Sequence, residues 1–419
     1  MRALLLVSVG LLGLAGCTRP TERPDVLLVL LPGLRGELAG ETGSGESLLI
    51  GALGQPRVRY TSAVAQSPAP YSSLASLLTG MYPSAIPICN RIDKAATQPW
   101  CTELPPQRYV LPAILRMYGY ATGAIHGKME GADLLGEGHV EVPGKVWRVG
   151  WPEVNRAARE WWTSQPSPKF LVVVASDLHA DELQARTEAQ MKAEYDLRMR
   201  SISIGVRELV QNLDADYAFV TSTHGTSLGE RTGLREGHDA FLDRATAGAV
   251  LHRTTHVPLL VYGPEGPPEL IPQAVELVDL VPTICALAEA TPPANTPGMD
   301  LFGVGTDDRA YSEFGDWLAL REGPWMLTFR SYLHNGSSID PENTNRLRQN
   351  TLDEEYYSLH DVLADPLQTN NVVMADLPLA GQMRERLLET RVSAGSPPPD
   401  MMAADKVQQI RLSPSQGYW

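Results

Sequence analysis

Three short apolar segments constrain the fold of this chain more than any other feature. Residues 25–31 read DVLLVLL, residues 169–175 read KFLVVVA and residues 217–222 read YAFVTS. Apolar runs of this length, ended by turn or polar residues, indicate strands. Because they show no alternation, they are typical of strands that helices bury on both faces. The sequence therefore predicts an α/β fold around one large, mostly parallel sheet, to which residues 121–125 and 257–261 add two strands.

Amphipathic segments between these strands supply the covering helices. Helices are predicted at residues 109–120, 152–162, 187–213 and 273–287, the last of which contains Cys285 as a buried free thiol. A proline-rich stretch at 291–298 then marks a boundary. Beyond it, the sequence predicts a smaller α+β unit with an antiparallel sheet. Its predicted elements are strands at 309–314 and 318–330 and a helix at 379–391.

The segment 65–83, AQSPAPYSSLASLLTGMYP, joins a loop to a helix. Its two prolines, Pro68 and Pro70, disfavour regular structure at the start. A helix is predicted from Ser72, capped by Ser72 or Ser73 and ended by Gly80. The segment is either an ordinary capped core helix or a helix whose free N–H groups present a nucleophile to an anion.

The first residues are typical of a targeting segment. Arg2 precedes an apolar run at 4–13 that is too short to span a bilayer. The following LAGC resembles a bacterial lipobox, cut before Cys17, whose thiol would carry the lipid. Because Thr18 follows, this implies sorting to the outer membrane, facing the periplasm or the surface. An ordinary secretory peptide with a chance cysteine is the alternative.

The predicted partners and crosslinks follow from charge and compartment. A net charge of −14 argues against nucleic acid as a partner, since phosphate binding needs a basic face. The predicted partner is a membrane, reached through the anchor at Cys17. In an oxidising compartment Cys89 and Cys101 are predicted to form a disulfide. Closing that loop would stabilise the fold by about 3 kcal/mol.

The helix segment ends in LTGMYP, which resembles the end of the signature of the sulfatase family in the alkaline-phosphatase superfamily. With Leu78, Thr79 and Gly80 set on the family's Leu-Thr-Gly, the nucleophile position falls on Pro70. Proline has no nucleophilic side chain and cannot become formylglycine. The resemblance thus implies the family fold without the family nucleophile.

The family's cation site is similarly altered. PDVLLVLLPGLR at 24–35 is similar to the family's first strand, in which two aspartates occupy the positions of Pro32 and Gly33. TSTHG at 221–225 is similar to TSDHG, with Thr223 in the aspartate position and His224 retained. The ligand positions implied by the resemblance are Pro32, Gly33, Pro70, Thr223 and His224. They hold no carboxylate, so no cofactor is expected, and calcium or magnesium is expected only if the protein is active.

The positions that contact the substrate anion in the family match better. The expected anion-binding residues are Lys128, His179, His224 and His238. Lys128 could instead be a solvated loop lysine, and His179 an ordinary surface histidine. The sequence therefore predicts a basic pocket that a sulfated or phosphorylated ligand could occupy.

The resemblance divides the chain into five parts. These are a signal peptide at 1–16, a tether at 17–24, a sulfatase-like α/β domain at 25–303, a small C-terminal α+β domain at 304–393 and a tail at 394–419. Two function classes remain. One is a non-catalytic envelope lipoprotein that binds an anion, a glycan or a partner. The other is an active sulfuric or phosphoric ester hydrolase with Ser72 or Ser73 as nucleophile and Glu37 or Asp177 as replacement ligands. Joint loss of nucleophile and carboxylates favours the first.

Overall fold

The structure is a computed structural model that describes residues 23–37, 45–86, 91–92, 99–100, 110–127, 132–135, 139–142, 151–175, 178, 188–228, 250–264, 266–303, 307–314, 317–330 and 357–394. The strands of the described residues are β1 (Val26–Leu30), β2 (Val58–Val64), β3 (Arg91–Ile92), β4 (Pro99–Trp100), β5 (Ala121–His126), β6 (His139–Glu141), β7 (Lys169–Val174), β8 (Tyr217–Thr221), β9 (His256–Tyr262), β10 (Glu269–Glu276), β11 (Arg309–Phe314), β12 (Trp317–Glu322), β13 (Trp325–Arg330) and β14 (Tyr357–Asp361). The helices are α1 (Gly45–Leu53), α2 (Pro70–Thr79), α3 (Leu111–Met117), α4 (Pro152–Ser164), α5 (Glu188–Leu213), α6 (His252–Thr255), α7 (Leu280–Leu287) and α8 (Leu377–Ala394).

The larger sheet has the strand order β10-β2-β9-β8-β1-β7-β5-β6. Its centre is parallel, and Leu30 of β1 lies between Val174 of β7 and Thr221 of β8. Only β9 runs against its neighbours β2 and β8. The five predicted strands all lie in this sheet, so the predicted α/β architecture is confirmed. The smaller sheet, β11-β12-β13-β14, is antiparallel, as predicted.

Helices bury both faces of the larger sheet because side chains alternate along each strand. Leu28 and Leu30 of β1 point into one core, beneath α2, α3 and α7. Leu27 and Val29 point into the other, beneath α1, α4 and α5. Cys285 is a buried free thiol in the first core, as predicted. Within the described parts of the chain, no helix combines the length and the hydrophobicity needed to cross a bilayer.

Two predicted helices begin elsewhere than expected. The prediction of one helix at 273–287 is wrong, because β10 extends to Glu276 and α7 begins at Leu280 after a 3-10 turn. β10 is an edge strand, where Pro272 is tolerated at a register shift. The start of α2 was also misplaced. The helix begins at Pro70, whose missing N–H costs nothing at the first position. Gly80 ends it with φ 69°, as predicted.

Buried charged groups join the two sheets. Glu313 of β11 is almost fully buried, accepts hydrogen bonds from Ser84 N–H (2.6 Å) and Tyr311 Oη (2.9 Å), and pairs with Arg391 of α8. Glu276 at the end of β10 accepts hydrogen bonds from Tyr82 Oη (2.7 Å) and Tyr311 N–H (2.6 Å). Burial raises the pKa of Glu276 to about 8, because it disfavours the charged carboxylate. We call this set the sheet junction.

Candidate functional site

The candidate site lies where β1 and β8 end side by side. Leu31 N–H donates to Thr221 O at 2.9 Å, which continues the strand pairing beyond β1. Gly33 N–H then donates to His224 O at 3.1 Å. The parallel arrangement places both strand ends at one edge of the sheet. The structure therefore brings Pro32 and Gly33 beside His224, although about 190 residues separate them in the chain.

The start of α2 reaches the same place. Ser73 Oγ donates a hydrogen bond to the carbonyl oxygen of Thr223. Ser72 and Ser73 are both buried in the first turn of α2. No side chain caps this helix, so the predicted serine cap is wrong. The Ser73 hydroxyl fixes α2 to the end of β8, which is a structural use of the group.

The polar side chains at the end of β8 are bound to one another and to the backbone. Thr223 Oγ1 lies 2.8 Å from His224 Nδ1. Ser222 Oγ lies 2.7 Å from Leu31 O and 2.6 Å from His224 O, so it links the ends of β8 and β1. All of these side chains are buried. The hydroxyls of Ser222 and Thr223 are thus hydrogen-bonded within the protein.

The residues present do not fit a calcium or magnesium ion. These ions need several oxygen ligands, with carboxylates prominent among them. Pro32, Gly33 and Pro70 offer no side-chain oxygen, and the Thr223 hydroxyl is bound to an imidazole. Throughout the described ranges, no group of three or more His, Cys, Asp or Glu residues is arranged to hold a metal ion.

Glu37, a replacement ligand in the hydrolase alternative, is committed elsewhere. Its carboxylate accepts a hydrogen bond from Ser47 Oγ at 2.7 Å and pairs with Arg59 at 3.2 Å. Arg59 also pairs with buried Glu46 at 2.9 Å. Burial raises the pKa of Glu46, although the Arg59 cation opposes this. Glu37 therefore belongs to an ion-pair group between α1 and β2. Asp177 lies outside the described residues.

A buried basic group lies directly behind the site, and the sequence analysis missed it. Gly36 N–H donates to His256 O, and Gly225 N–H donates to Thr254 O, both at 2.9 Å. The rings of His252 and His256 stack with centroids 4.5 Å apart. Burial lowers the pKa of His256 to about 3. The pKa of His252 is lowered well below its ordinary value, first by burial and then by the neighbouring His256, Arg321 and Arg253.

Arg321 of β12 completes this group. Its side chain is only 3% exposed, with Nη2 donating to Ser62 Oγ at 2.9 Å and Nε to Gly323 O at 3.3 Å. Among the described residues, its Nη1 atom has no hydrogen-bond partner. Burial lowers the pKa of Arg321 to about 10, so the guanidinium is charged at neutral pH. With Arg253 of α6, it places positive charge behind the loop that follows β1. We call His252, Arg253, His256 and Arg321 the basic cluster.

The structure does not test the remaining predicted site residues. Lys128, His179, His238, Cys17, Cys89 and Cys101 lie outside the described residues. The anion contacts, the lipid anchor and the disulfide therefore stay predictions. The short hairpin between the two cysteines is described, and it pairs Arg91 with Trp100. The domain boundaries also stay predictions.

Sequence comparison finds a sulfatase. The chain is 33% identical over 145 residues to the N-acetylglucosamine-6-sulfatase of Capra hircus, which is 33% of this chain and 25% of that protein. The match thus spans about a quarter of the relative's length. No protein-family model matches the chain.

Solved structures match over nearly the whole chain. A 2-O GAG sulfatase is 15% identical with a TM-score of 0.63, covering 89% of this chain and 93% of its own. The phosphonate monoester hydrolase of Agrobacterium radiobacter is 15% identical with a TM-score of 0.60, covering 89% and 96%. At this identity the likeness establishes the fold. The chain therefore has the sulfatase-like alkaline-phosphatase fold, and a third of it is similar in sequence to a curated sulfatase.

Proposed function

We propose that the protein is a lipid-anchored envelope protein that binds a sulfated or phosphorylated ligand, such as a sulfated glycan, without hydrolysing it. The observation that carries this proposal is the composition of the site. The ends of β1 and β8 and the start of α2 meet as in a sulfatase fold, but they meet at Pro32, Gly33, Pro70 and Thr223. Ester cleavage in such a site needs a nucleophile and charge stabilisation of the leaving oxygen.

The basic cluster supports anion binding. Arg321 is buried and charged, and its charge is stabilised by Asp308 and by hydrogen bonds to Ser62 and Gly323. Because burial still disfavours this cation, an anion held in front of it would be stabilised. Lys128, His179 and His238 are the residues proposed to contact that anion directly.

Binding is tested by calorimetry on the full chain in detergent, with a sulfated oligosaccharide and its desulfated form. We expect the sulfated form alone to bind, and Lys128→Ala to weaken it at least tenfold. Lys192→Ala is the matched control, because Lys192 is an exposed lysine that pairs with Asp196 of its own helix, α5. Equal binding of both sugars, or equal loss in both variants, would contradict the proposal.

Catalysis is tested with aryl sulfates and aryl phosphates, with and without added calcium, magnesium, manganese or zinc. We expect no turnover above background. Gly33→Asp combined with Thr223→Asp should not create turnover, because Pro70 still provides no nucleophile. Metal-dependent turnover abolished by Ser72→Ala or Ser73→Ala would show that the hydrolase alternative is correct.

The anchor is tested by fractionation. Cys17→Ser should move the protein from the membrane fraction to the soluble fraction and abolish labelling by a fatty-acid analogue. Cys285→Ala removes a buried thiol and keeps Cys17, so it should leave the protein in the membrane fraction. Retention of the Cys17→Ser variant in membranes would contradict the anchor.

A further inference from the structure

The chain enters the fold at the edge of the larger sheet opposite the candidate site. Arg23 donates a hydrogen bond to Tyr118 O, and its guanidinium carbon lies 5.6 Å from the ring centre of Tyr120. Two residues later, Asp25 O accepts a hydrogen bond from Tyr217 N–H at 3.2 Å. Since β1, β7 and β8 are parallel and begin here, this is the amino-terminal edge of the sheet.

A groove of about 740 Å³ opens at the same edge. Its apolar wall is formed by Val58, Tyr60, Tyr217, Val261, Leu287 and Phe302. The Phe302 ring packs on Tyr217 and Phe219, with centroids 6.0 and 6.2 Å apart, and the side chain is still 40% exposed. Tyr217, which lines the groove, thus donates its backbone N–H to Asp25 in the segment that leads into β1.

Exposed apolar side chains continue around this edge. Met117, at the end of α3 and next to Tyr118, is 68% exposed, and Leu270, near the start of β10, is 62% exposed. We call Met117, Leu270, Phe302 and the groove the amino-terminal face. Single exposed apolar residues are common, but a groove together with three such residues at one edge is typical of an interaction surface.

The charges at this edge are balanced. Lys169 pairs with Asp25 at 3.4 Å, and Arg57 pairs with Glu269 at 3.7 Å beside the groove. In the described part of the chain, this edge therefore has no net charge that would attract a strongly charged partner. Binding to the amino-terminal face is expected to depend mainly on apolar contacts.

We propose that the amino-terminal face lies on a lipid bilayer and that the groove beside Phe302 takes acyl chains from it. The inference rests on the proposed anchor at Cys17. Five residues, 18–22, separate the anchor at Cys17 from Arg23, and the six steps of about 3.5 Å between Cys17 and Arg23 span at most roughly 20 Å. An anchor of that reach holds the amino-terminal edge next to the membrane. Aromatic side chains favour the membrane interface, and buried methylene groups stabilise the contact.

The orientation has a consequence for the proposed ligand. The ends of β1 and β8 lie at the opposite edge of the same sheet, so the candidate site faces away from the bilayer. The ligand is therefore approached from the aqueous side, and a sulfated or phosphorylated headgroup of the same membrane is out of reach.

The test uses the full lipidated chain in vesicles of phosphatidylethanolamine and phosphatidylcholine. Met117→Cys and Phe302→Cys each carry an environment-sensitive fluorophore, and brominated acyl chains act as the quencher. Val140→Cys is the matched control, because Val140 is 45% exposed on β6, near the carboxyl end of the sheet. We expect quenching at 117 and 302 to exceed that at 140 at least threefold, with no change in 0.5 M salt.

The outcomes separate this inference from the anchor. Vesicle-bound protein with equal quenching at all three positions overturns the orientation and leaves the anchor intact. Failure of the wild-type chain to sediment with vesicles overturns both. Phe302→Asp should keep the protein on vesicles through its anchor and lower the quenching at 117 by at least half. Ready disulfide dimerisation of Phe302→Cys on vesicles would instead assign this face to a second copy of the chain and overturn the lipid contact.

Discussion

The candidate site and the sheet junction both bury polar groups, but they do so with different chemistry. At the site, the hydroxyls of Ser73, Thr223 and Ser222 satisfy backbone carbonyls and one imidazole, and no carboxylate is present among the described residues. At the junction, Glu276 accepts two hydrogen bonds and Glu313 accepts three, and their donors lie in β11, in α8 and in the segment after α2. The buried carboxylates of this comparison thus lie at the sheet junction, where they connect parts of the fold.

This difference indicates that the fold does not depend on charged groups at the strand ends. The ends of β1 and β8 are joined by backbone hydrogen bonds and a serine, which are neutral. The junction, in contrast, contains ionised partners that cannot be removed singly without leaving a buried charge. Stability and site chemistry can therefore be tested separately.

The largest effect is expected at the junction. Arg391→Met should leave the Glu313 carboxylate buried without its cation and lower the free energy of unfolding by about 3–5 kcal/mol. The measurement is urea unfolding. Arg384→Met is the control, because Arg384 pairs with an exposed Glu385 and its loss should cost at most about 1 kcal/mol. A similar decrease in the free energy of unfolding of both variants would show that the buried ion pair contributes no more to stability than the exposed one.

An intermediate effect is expected at the site, and its cause is steric. A Cβ atom on Gly225 would overlap the carbonyl oxygen of Arg253. Gly225→Ala should therefore lower the free energy of unfolding by about 1–3 kcal/mol. Gly51→Ala, in α1 with no atom within 4 Å of the new Cβ, should raise it by about 0.5–1 kcal/mol. Thermal unfolding of the two alanine variants gives the comparison, and shifts of the same sign would contradict it.

The smallest effect is expected in the pH dependence of stability, because the contributions of the two regions change with pH in opposite directions. The pKa of His256 is lowered to about 3, so between pH 3 and 6.5 the unfolded chain binds a proton that the fold excludes, and stability rises with pH. The pKa of Glu276 is raised to about 8, so between pH 4.5 and 8 the fold retains a proton that the unfolded chain releases, and stability falls with pH. Between pH 4.5 and 6.5 these contributions offset each other.

The Glu276→Gln variant removes the contribution of Glu276 to the pH dependence of stability and leaves that of His256. In this variant the free energy of unfolding should rise from pH 5 to pH 6 by up to about 1.4 kcal/mol more than in the wild type. Arg321 lowers the pKa of His256, and Asp279 raises the pKa of Glu276. Arg321 and Asp279 are therefore left unchanged in this experiment. Urea unfolding at half-unit pH steps is the measurement, with Glu385→Gln as an exposed control. Identical pH profiles of wild type and Glu276→Gln would refute the assignment.

The buried central strands were predictable from the sequence, and the strands at one edge were not. β1, β7 and β8 are apolar runs whose burial on both faces leaves a local signal. β2 carries arginine, serine and threonine, and its partners β9 and β10 lie about 200 residues away. The helix predicted at 273–287 failed for the same reason, since β10 is a strand only because it pairs with β2.

The meeting of Gly33, Ser73 and His224 followed from the family resemblance, whereas the basic cluster did not. His252 lies in α6 and His256 is the first residue of β9, whereas Arg321 comes from the smaller sheet. Their proximity depends on how β12 packs against Ser62 in β2. The run LHRTTH at 251–256, with three basic residues before a strand, was the available local signal.

The position of β2 also governs the order of assembly. Residues 58–64 are synthesised early, but their neighbours on both sides, 256–262 and 269–276, come nearly 200 residues later. Such long-range pairing makes folding slow, because loop closure precedes the stabilising contacts. A nascent chain shorter than about 276 residues leaves at least one edge of this strand open to wrong pairing. The larger sheet can therefore be completed only after residues 256–276 have been synthesised.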